Sequence, residues 1–199
     1  HTELVYLKDE NSFEVLGETQ DDAIGEAFDK VARVMGLPYP GGPQIDRLAK
    51  EGNNVYALAK PKTENPMDFS FSGLKSSVLQ FQARCARRQE NFVPADLACS
   101  FQETALEALL SRVTYALDHV SGIRHFVVAG GVAANSRLRT LITETIAPNY
   151  PQIRFTIPPL SCCTDNAAMI AIAGTIAYQH GRRSSFDIGA QPGMPLESE

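Results

Sequence analysis

The 199-residue sequence contains no tryptophan, only four histidines and four cysteines, and no apolar run near the ~18 residues that a membrane-crossing helix requires. The histidines (His1, His119, His125 and His180) are scattered, and no HExxH pairs two of them on a helix, which argues against a zinc-peptidase centre. No GxSxG elbow supports a serine hydrolase, and no Gly-Lys-Ser/Thr follows a glycine-rich stretch as a Walker A loop requires. Cys85, Cys99, Cys162 and Cys163 form no CxxC, and the adjacent pair Cys162 and Cys163 would bridge only with strain. Reduced thiols in a cytoplasmic protein are the expectation. The opening HTELVYLKDE has neither the basic nor the apolar region of a secretory leader. It also lacks an initiating Met and begins on a strand-like run, which suggests a start inside a larger protein.

What is present is ordinary for a folded chain: 44% hydrophobic and 21% charged residues, with a net charge of −5. That charge is uneven. Residues 1–30 hold nine acids against two bases, net −7, while the remainder is net +2 with a basic cluster at Arg84, Arg87 and Arg88. Any nucleic-acid contact is therefore local, although three arginines on a helix also suit a solvated face.

The alternating run Thr2–Lys8, a polar turn and Phe13–Gly17 predict a hairpin. Ile24, Ala27, Phe28, Val31 and Met35 recur at helical spacing before Gly36. Pro40-Gly41-Gly42-Pro43 forces a loop, with Pro43 the expected first residue of a short helix ending near Gly52. Ser72 is the expected N-cap of a helix to about Gln89, with Phe69, Phe71 and Leu74 as packing residues. Pro94 opens a long helix to about Val120. The last third reads β-α-β-α: strand 125–129, helix 136–147, strand 154–158, helix 167–179. In such a parallel unit ligands sit beyond the carboxyl ends of the strands, where GGVAANS and PPLSCCTDN both fall.

In VVAGGVAANSRLR, paired glycines end a strand and a helix begins. Glycines admit close backbone approach, and free N–H groups at a helix start favour anions, while Asn135 either caps that helix or bonds a ligand. Asp165 in SCCTDN is either an N-cap or a cation ligand, and one carboxylate alone makes no metal site. Asp29 sits beside the apolar stripe of its helix, as a solvated acid or as an acceptor for ribose hydroxyls.

Taken in order, GETQDDAIGEAFDKVARVMGLPYPGGP, DFSFSGLKSS, VVAGGVAANSRLR and CCTDNAAMIAIAG resemble the tRNA adenosine threonylcarbamoyltransferase family, bacterial TsaD type, formerly classed as an O-sialoglycoprotein endopeptidase. The resemblance covers essentially all of the chain and only the C-terminal three fifths of the family. It implies an α/β fold: a ribonuclease-H-like lobe of the actin-like ATPase (ASKHA) architecture, with a helical insertion at about 37–95, the N-terminal lobe being absent. It implies that Asp29, Gly42, Asp46 and Asn135 hold the adenylate, Asp46 at a position that varies among members, and that Asp165 is a metal ligand. The family's divalent metal, iron or zinc, takes further ligands from a His-x-x-x-His pair that this chain lacks. The implied ligand is an adenine nucleotide or threonylcarbamoyl-adenylate. The implied partners are tRNA, a paralogous non-catalytic subunit (TsaB type) and a small ATPase (TsaE type), with no membrane. No catalytic side chain is assigned, because the tRNA base is the nucleophile. An isolated lobe would expose a sheet edge and an apolar face, and so self-associate.

Two other readings remain. Actin-like lobes also serve as nucleotide-binding or partner-docking modules without chemistry. A metallopeptidase would need a general base beside a metal, and no residue here supplies one.

Overall fold

The computed structural model describes residues 1–9 and 12–189. Strands β1 (Glu3–Leu7) and β2 (Phe13–Glu18) form the expected antiparallel hairpin, with a bulge between Leu4 and Val5; the Glu10-Asn11 part of its turn lies outside the described residues. Gly17 is fixed by packing, since a Cβ there would strike the carbonyl of Met67. Helices α1 (Ile24–Val34), α2 (Gly41–Ala49), α3 (Ser72–Arg88) and α4 (Pro94–His119) follow. The chain ends in strand β3 (His125–Val127), helix α5 (Ser136–Asn149), strand β4 (Arg154–Thr156) and helix α6 (Ala167–Gln179). β3 and β4 pair in parallel, so the β-α-β-α rhythm of the last third is realised, with strands two residues shorter than the sequence suggests.

The core is helical. Phe28 of α1 meets Phe101 of α4 edge to face at 5.0 Å, and Ile45 of α2 is fully buried with Leu97 and Leu106 of α4. Burying each such side chain contributes ~1.5–3 kcal/mol. Ile24, Ala27, Phe28 and Val31 are all buried, which is the three- and four-residue periodicity of their helix made physical. Leu138, Ile142 and Ile146 attach α5 to the same core. Residues 37–95 contain α2 and α3 separated by a long irregular stretch, and they are not a separate body: α2 and α3 bury Ile45, Leu74 and Val78 in the core shared with α1 and α4.

Two helix starts differ from the sequence reading. Pro43 is not the first residue of its helix: α2 begins at Gly41, after Pro40. Its first N–H is satisfied from outside, because Asp29 Oδ1 accepts from Gly41 N at 2.7 Å. Likewise Ser72 is already helical and does not cap α3. Asp21, fifty residues upstream, does that work: its carboxylate accepts from the backbone N–H groups of Phe71 (2.7 Å) and Ser72 (3.1 Å) and from the hydroxyls of Ser70 and Ser72. The DFSFSGLK motif is thus partly a latch between the segment before α1 and the start of α3.

Burial alone would raise the Asp21 carboxyl, but the hydrogen bonds from Ser70, Phe71 and Ser72 together outweigh it and hold the group below the ordinary aspartate range. A depressed folded-state value contributes stability that is present above the unfolded value of ~4 and is lost as pH falls through the folded one. Asp21→Asn is therefore expected to lower stability more at pH 7 than in acid, the difference shrinking as pH falls through the folded-state value. Urea unfolding at pH 7 and in acid measures the difference, and an equal loss at both would exclude the charge as the cause.

Candidate functional site

One end of the helical layer collects the polar residues. Asp29 on α1 reaches Gly41 at the start of α2. Asp46 on α2 accepts from Ser136 N (3.2 Å) and Ser136 Oγ (2.9 Å) at the start of α5, ninety residues away. Asn135 is the N-cap of α5: its Oδ1 accepts from Leu138 N at 2.8 Å, while its Nδ2 donates to Gln102 Oε1 of α4 at 2.8 Å. The four helices are thereby tied end to side by three side chains, each facing the same space.

That space is a cavity of about 1390 Å³. Asp29, Gly42, Asp46 and Asn135 all line it, together with Gly130 and Gly131. A Cβ on Gly42, Gly130 or Gly131 would meet no other atom within 4 Å, so these glycines face open space. Gly130 also needs its missing side chain for conformation, at φ +91. Gly41 differs: a Cβ there would lie 2.5 Å from Ala32 Cβ and 2.8 Å from Asp29 Cα, so this glycine lets α2 seat against α1.

Asp29 is therefore neither a freely solvated acid nor committed wholly to ligand: one oxygen caps α2, and among the described residues no protein donor reaches the other. Asp165 stands apart from the group. It is exposed and does not line the cavity, although its neighbour Thr164 does. It is not the N-cap either, because Asn166 fills that position and accepts from Met169 N at 3.0 Å. Among the described residues no three His, Cys, Asp or Glu side chains gather as metal ligands. The described residues therefore do not by themselves complete a divalent-metal site, and no chemical step is derived through one.

Two residues of the site escape sequence reading. Gln102 is 3% exposed and bonds Asn135, a polar residue beside Phe101 on a helix otherwise read by its apolar stripe. Arg139 donates to the carbonyls of Ala133 (2.9 Å) and Pro158 (3.0 Å), fastening the loop after β3 to the loop after β4. Its position, four residues beyond Asn135 and one helical turn into α5, was the available signal.

The rest of the cavity is an apolar slot. It is lined by β1, by β3 and the residues just after it, and by Phe28, Leu109 and Val113. Among the described residues β1 pairs only with β2 and β3 only with β4. Each of these cavity-lining strands therefore has one edge without a strand partner among the described residues. Helix α6 is also uncovered: none of its residues is buried, and Ile170 and Ile172 are 66% and 63% exposed. It is only 13 residues long, and no helix among the described residues is long and apolar enough to cross a membrane.

Comparison with known proteins agrees with the motif order. The family profile for tRNA N6-adenosine threonylcarbamoyltransferase, TsaD, matches residues 1–172. Proteins named tRNA N6-adenosine threonylcarbamoyltransferase from Bacillus licheniformis (50% identical, 58% of its length) and Bacillus subtilis strain 168 (49% identical, 57% of its length) align with all 199 residues. A Bacillus cereus protein of the same name is 50% identical, again over the whole of this chain and 57% of its own length. The chain thus spans under three fifths of these relatives, and within that span it belongs to the tRNA N6-adenosine threonylcarbamoyltransferase family.

Proposed function

We propose that this chain is a nucleotide-binding lobe of a tRNA threonylcarbamoyltransferase with a ribonuclease-H-like, actin-type architecture. The observation that carries the reading is the convergence of Asp29, Gly42, Asp46 and Asn135 on one cavity from two helices and the N-cap of a third. The cavity exceeds the ~300–1,000 Å³ usual for a small ligand, which suits an adenylate at the polar end with space to spare. The unengaged oxygen of Asp29 is an acceptor for ribose hydroxyls. Gly42, Gly130 and Gly131 let the nucleotide lie against backbone, and the N–H groups of the Gly130-Gly131 turn suit its phosphate.

The reaction is acyl transfer. The exocyclic amine of the adenosine next to the anticodon attacks the carbamoyl carbon of threonylcarbamoyl-adenylate. A C–N bond forms, the C–O bond to the phosphate breaks, AMP leaves, and the amine proton passes to solvent. The base is the nucleophile, so the lobe need only bind and orient the adenylate, a contribution worth several orders of magnitude in rate when the geometry is correct. Asp165 would give one carboxylate to a divalent metal whose other ligands lie outside this chain.

The slot and helix α6 support the lobe reading. Strands in a sheet lie ~4.8 Å apart, and a two-stranded ribbon is marginal alone. An extended segment from the rest of the protein, seated between β1 and β3, would join the two ribbons into one five-stranded sheet. Helix α6 would pack on the remaining lobe. Left uncovered, both surfaces invite self-association. The TsaB-type and TsaE-type partners and the cytoplasmic setting follow from the same reading.

The test uses the full-length protein with threonylcarbamoyl-adenylate and tRNA, and follows the modified nucleoside by mass spectrometry. Modification is expected. Gly42→Ala should leave the fold intact, since its Cβ meets nothing and alanine is the better helix former by ~1 kcal/mol, yet raise KM for the adenylate about tenfold by occupying ligand space. Absence of the modified nucleoside, or an unchanged KM in both Gly42→Ala and the bulkier Gly42→Leu, would overturn the assignment.

A further inference from the structure

Helix α3 is charged in one sense only. Its sequence SGLKSSVLQFQARCARR contains Lys75, Arg84, Arg87 and Arg88 and no acid, a charge of +4 in a chain of net −5, so the rest of the chain carries −9. Its buried face is Leu74, Val78, Phe81 and Cys85. On another side, Ser76, Gln80, Arg84 and Arg87 follow at helical spacings of four, four and three, with Arg88 alongside, and all five are exposed. This ridge covers about twelve residues, roughly 18 Å at 1.5 Å per residue. Arg84 lies over the Phe81 ring at 5.3 Å, which holds its guanidinium against the helix rather than loose in solvent. Among the described residues only Arg88 of these cations pairs with an acid, Glu90 at 3.9 Å, and that pair is exposed on both sides.

Two arginines in the last turn are explained by the helix dipole, which favours cations there. Arg84 lies a turn earlier, and the hydroxyl and amide of Ser76 and Gln80 extend the ridge where the dipole no longer acts. We propose that this ridge of α3 binds the phosphate backbone of the RNA substrate. Guanidinium groups pair with phosphates bidentately, and serine and glutamine side chains complete such contacts at phosphate and 2′-hydroxyl oxygens. The contact positions the RNA and reads no sequence. The proposal rests on the reading that the substrate is a tRNA, and it adds the surface that holds it.

The experiment is tRNA binding by the full-length protein across a salt series, for the wild type and the triple variant Arg84→Gln, Arg87→Gln, Arg88→Gln. The variant is expected to bind tRNA about tenfold or more weakly near ~0.1 M salt, with the slope of log affinity against log salt reduced by about 2–3. Its KM for threonylcarbamoyl-adenylate and its circular dichroism should match the wild type. Wild-type binding with an unaltered slope in the variant overturns the ridge alone. Failure of the wild-type protein to bind tRNA overturns the transferase reading and the ridge together. Unchanged tRNA binding with loss of an acidic protein partner would reassign the ridge to that partner and overturn the proposal.

Discussion

Gly41→Ala is expected to destabilise the protein by about 2–3 kcal/mol, the upper part of the range for forcing atoms into a packed site. The new Cβ would have to fit 2.5 Å from Ala32 Cβ and 2.8 Å from Asp29 Cα, and neither is the free end of a flexible side chain. Relief requires α2 to move away from α1. That movement lengthens the bond from Gly41 N to Asp29 and carries Gly42 and Asp46 out of place, so adenylate binding should fail along with stability. The adjacent Gly42→Ala change removes the same kind of freedom with no clash, and should affect binding only. Urea midpoints for the two variants separate the cases. A Gly41→Ala protein within ~0.5 kcal/mol of wild type would show that α1 and α2 are not in the contact described.

The second large effect belongs to Asn135. Asn135→Ala removes an N-cap, worth ~1 kcal/mol, and leaves Gln102 buried without its partner, worth a further ~1–3 kcal/mol. A total near 2–4 kcal/mol is expected, which makes the alanine variant a poor probe of ligand binding. Asn135→Asp separates the roles. The aspartate still caps α5, and Gln102 can rotate its amide to donate to the second carboxylate oxygen, so stability should stay within ~1 kcal/mol. The added negative charge faces the cavity, and adenylate affinity should fall at least tenfold by repulsion of the phosphate. Chemical denaturation and calorimetric titration of the two variants give the comparison. Normal adenylate affinity in Asn135→Asp would mean that Asn135 is a cap and nothing more.

Periodicity carried most of the fold. The stripes of α1 and α4, the hairpin and the β-α-β-α tail were legible because each depends on residues two to four positions apart, the scale at which a sequence pattern speaks. The misassigned helix starts had partners farther away. Pro43 and Ser72 carry good local signals, but Asp29 satisfies Gly41 and Asp21 satisfies Phe71 and Ser72; at α6 the difference is local, the cap falling on Asn166, one residue beyond Asp165. At the site, the motif resemblance picks out Gly42 and Asn135, both of which line the cavity, while residue type alone leaves Asn135 open between cap and ligand. Gln102 could not be picked out, since nothing in an amphipathic helix announces which polar residue on its edge will be buried by a loop thirty residues later. The pairing of strands was equally hidden, since two separate ribbons and one continuous sheet have the same alternation.

The three side chains that close the ends of α2 and α5 are the ones that face the cavity. An enzyme built this way has little freedom to change what it accepts by altering Asp29, Asp46 or Asn135, since each alteration also loosens a helix. Latitude lies instead with Gly42 and Gly131, where a methyl group would meet no neighbouring atom and no strained backbone. Under the proposed nucleotide-binding role, selectivity would be set by what these glycines leave out, while Asp29, Asp46 and Asn135 are held in place by their second employment as scaffolding.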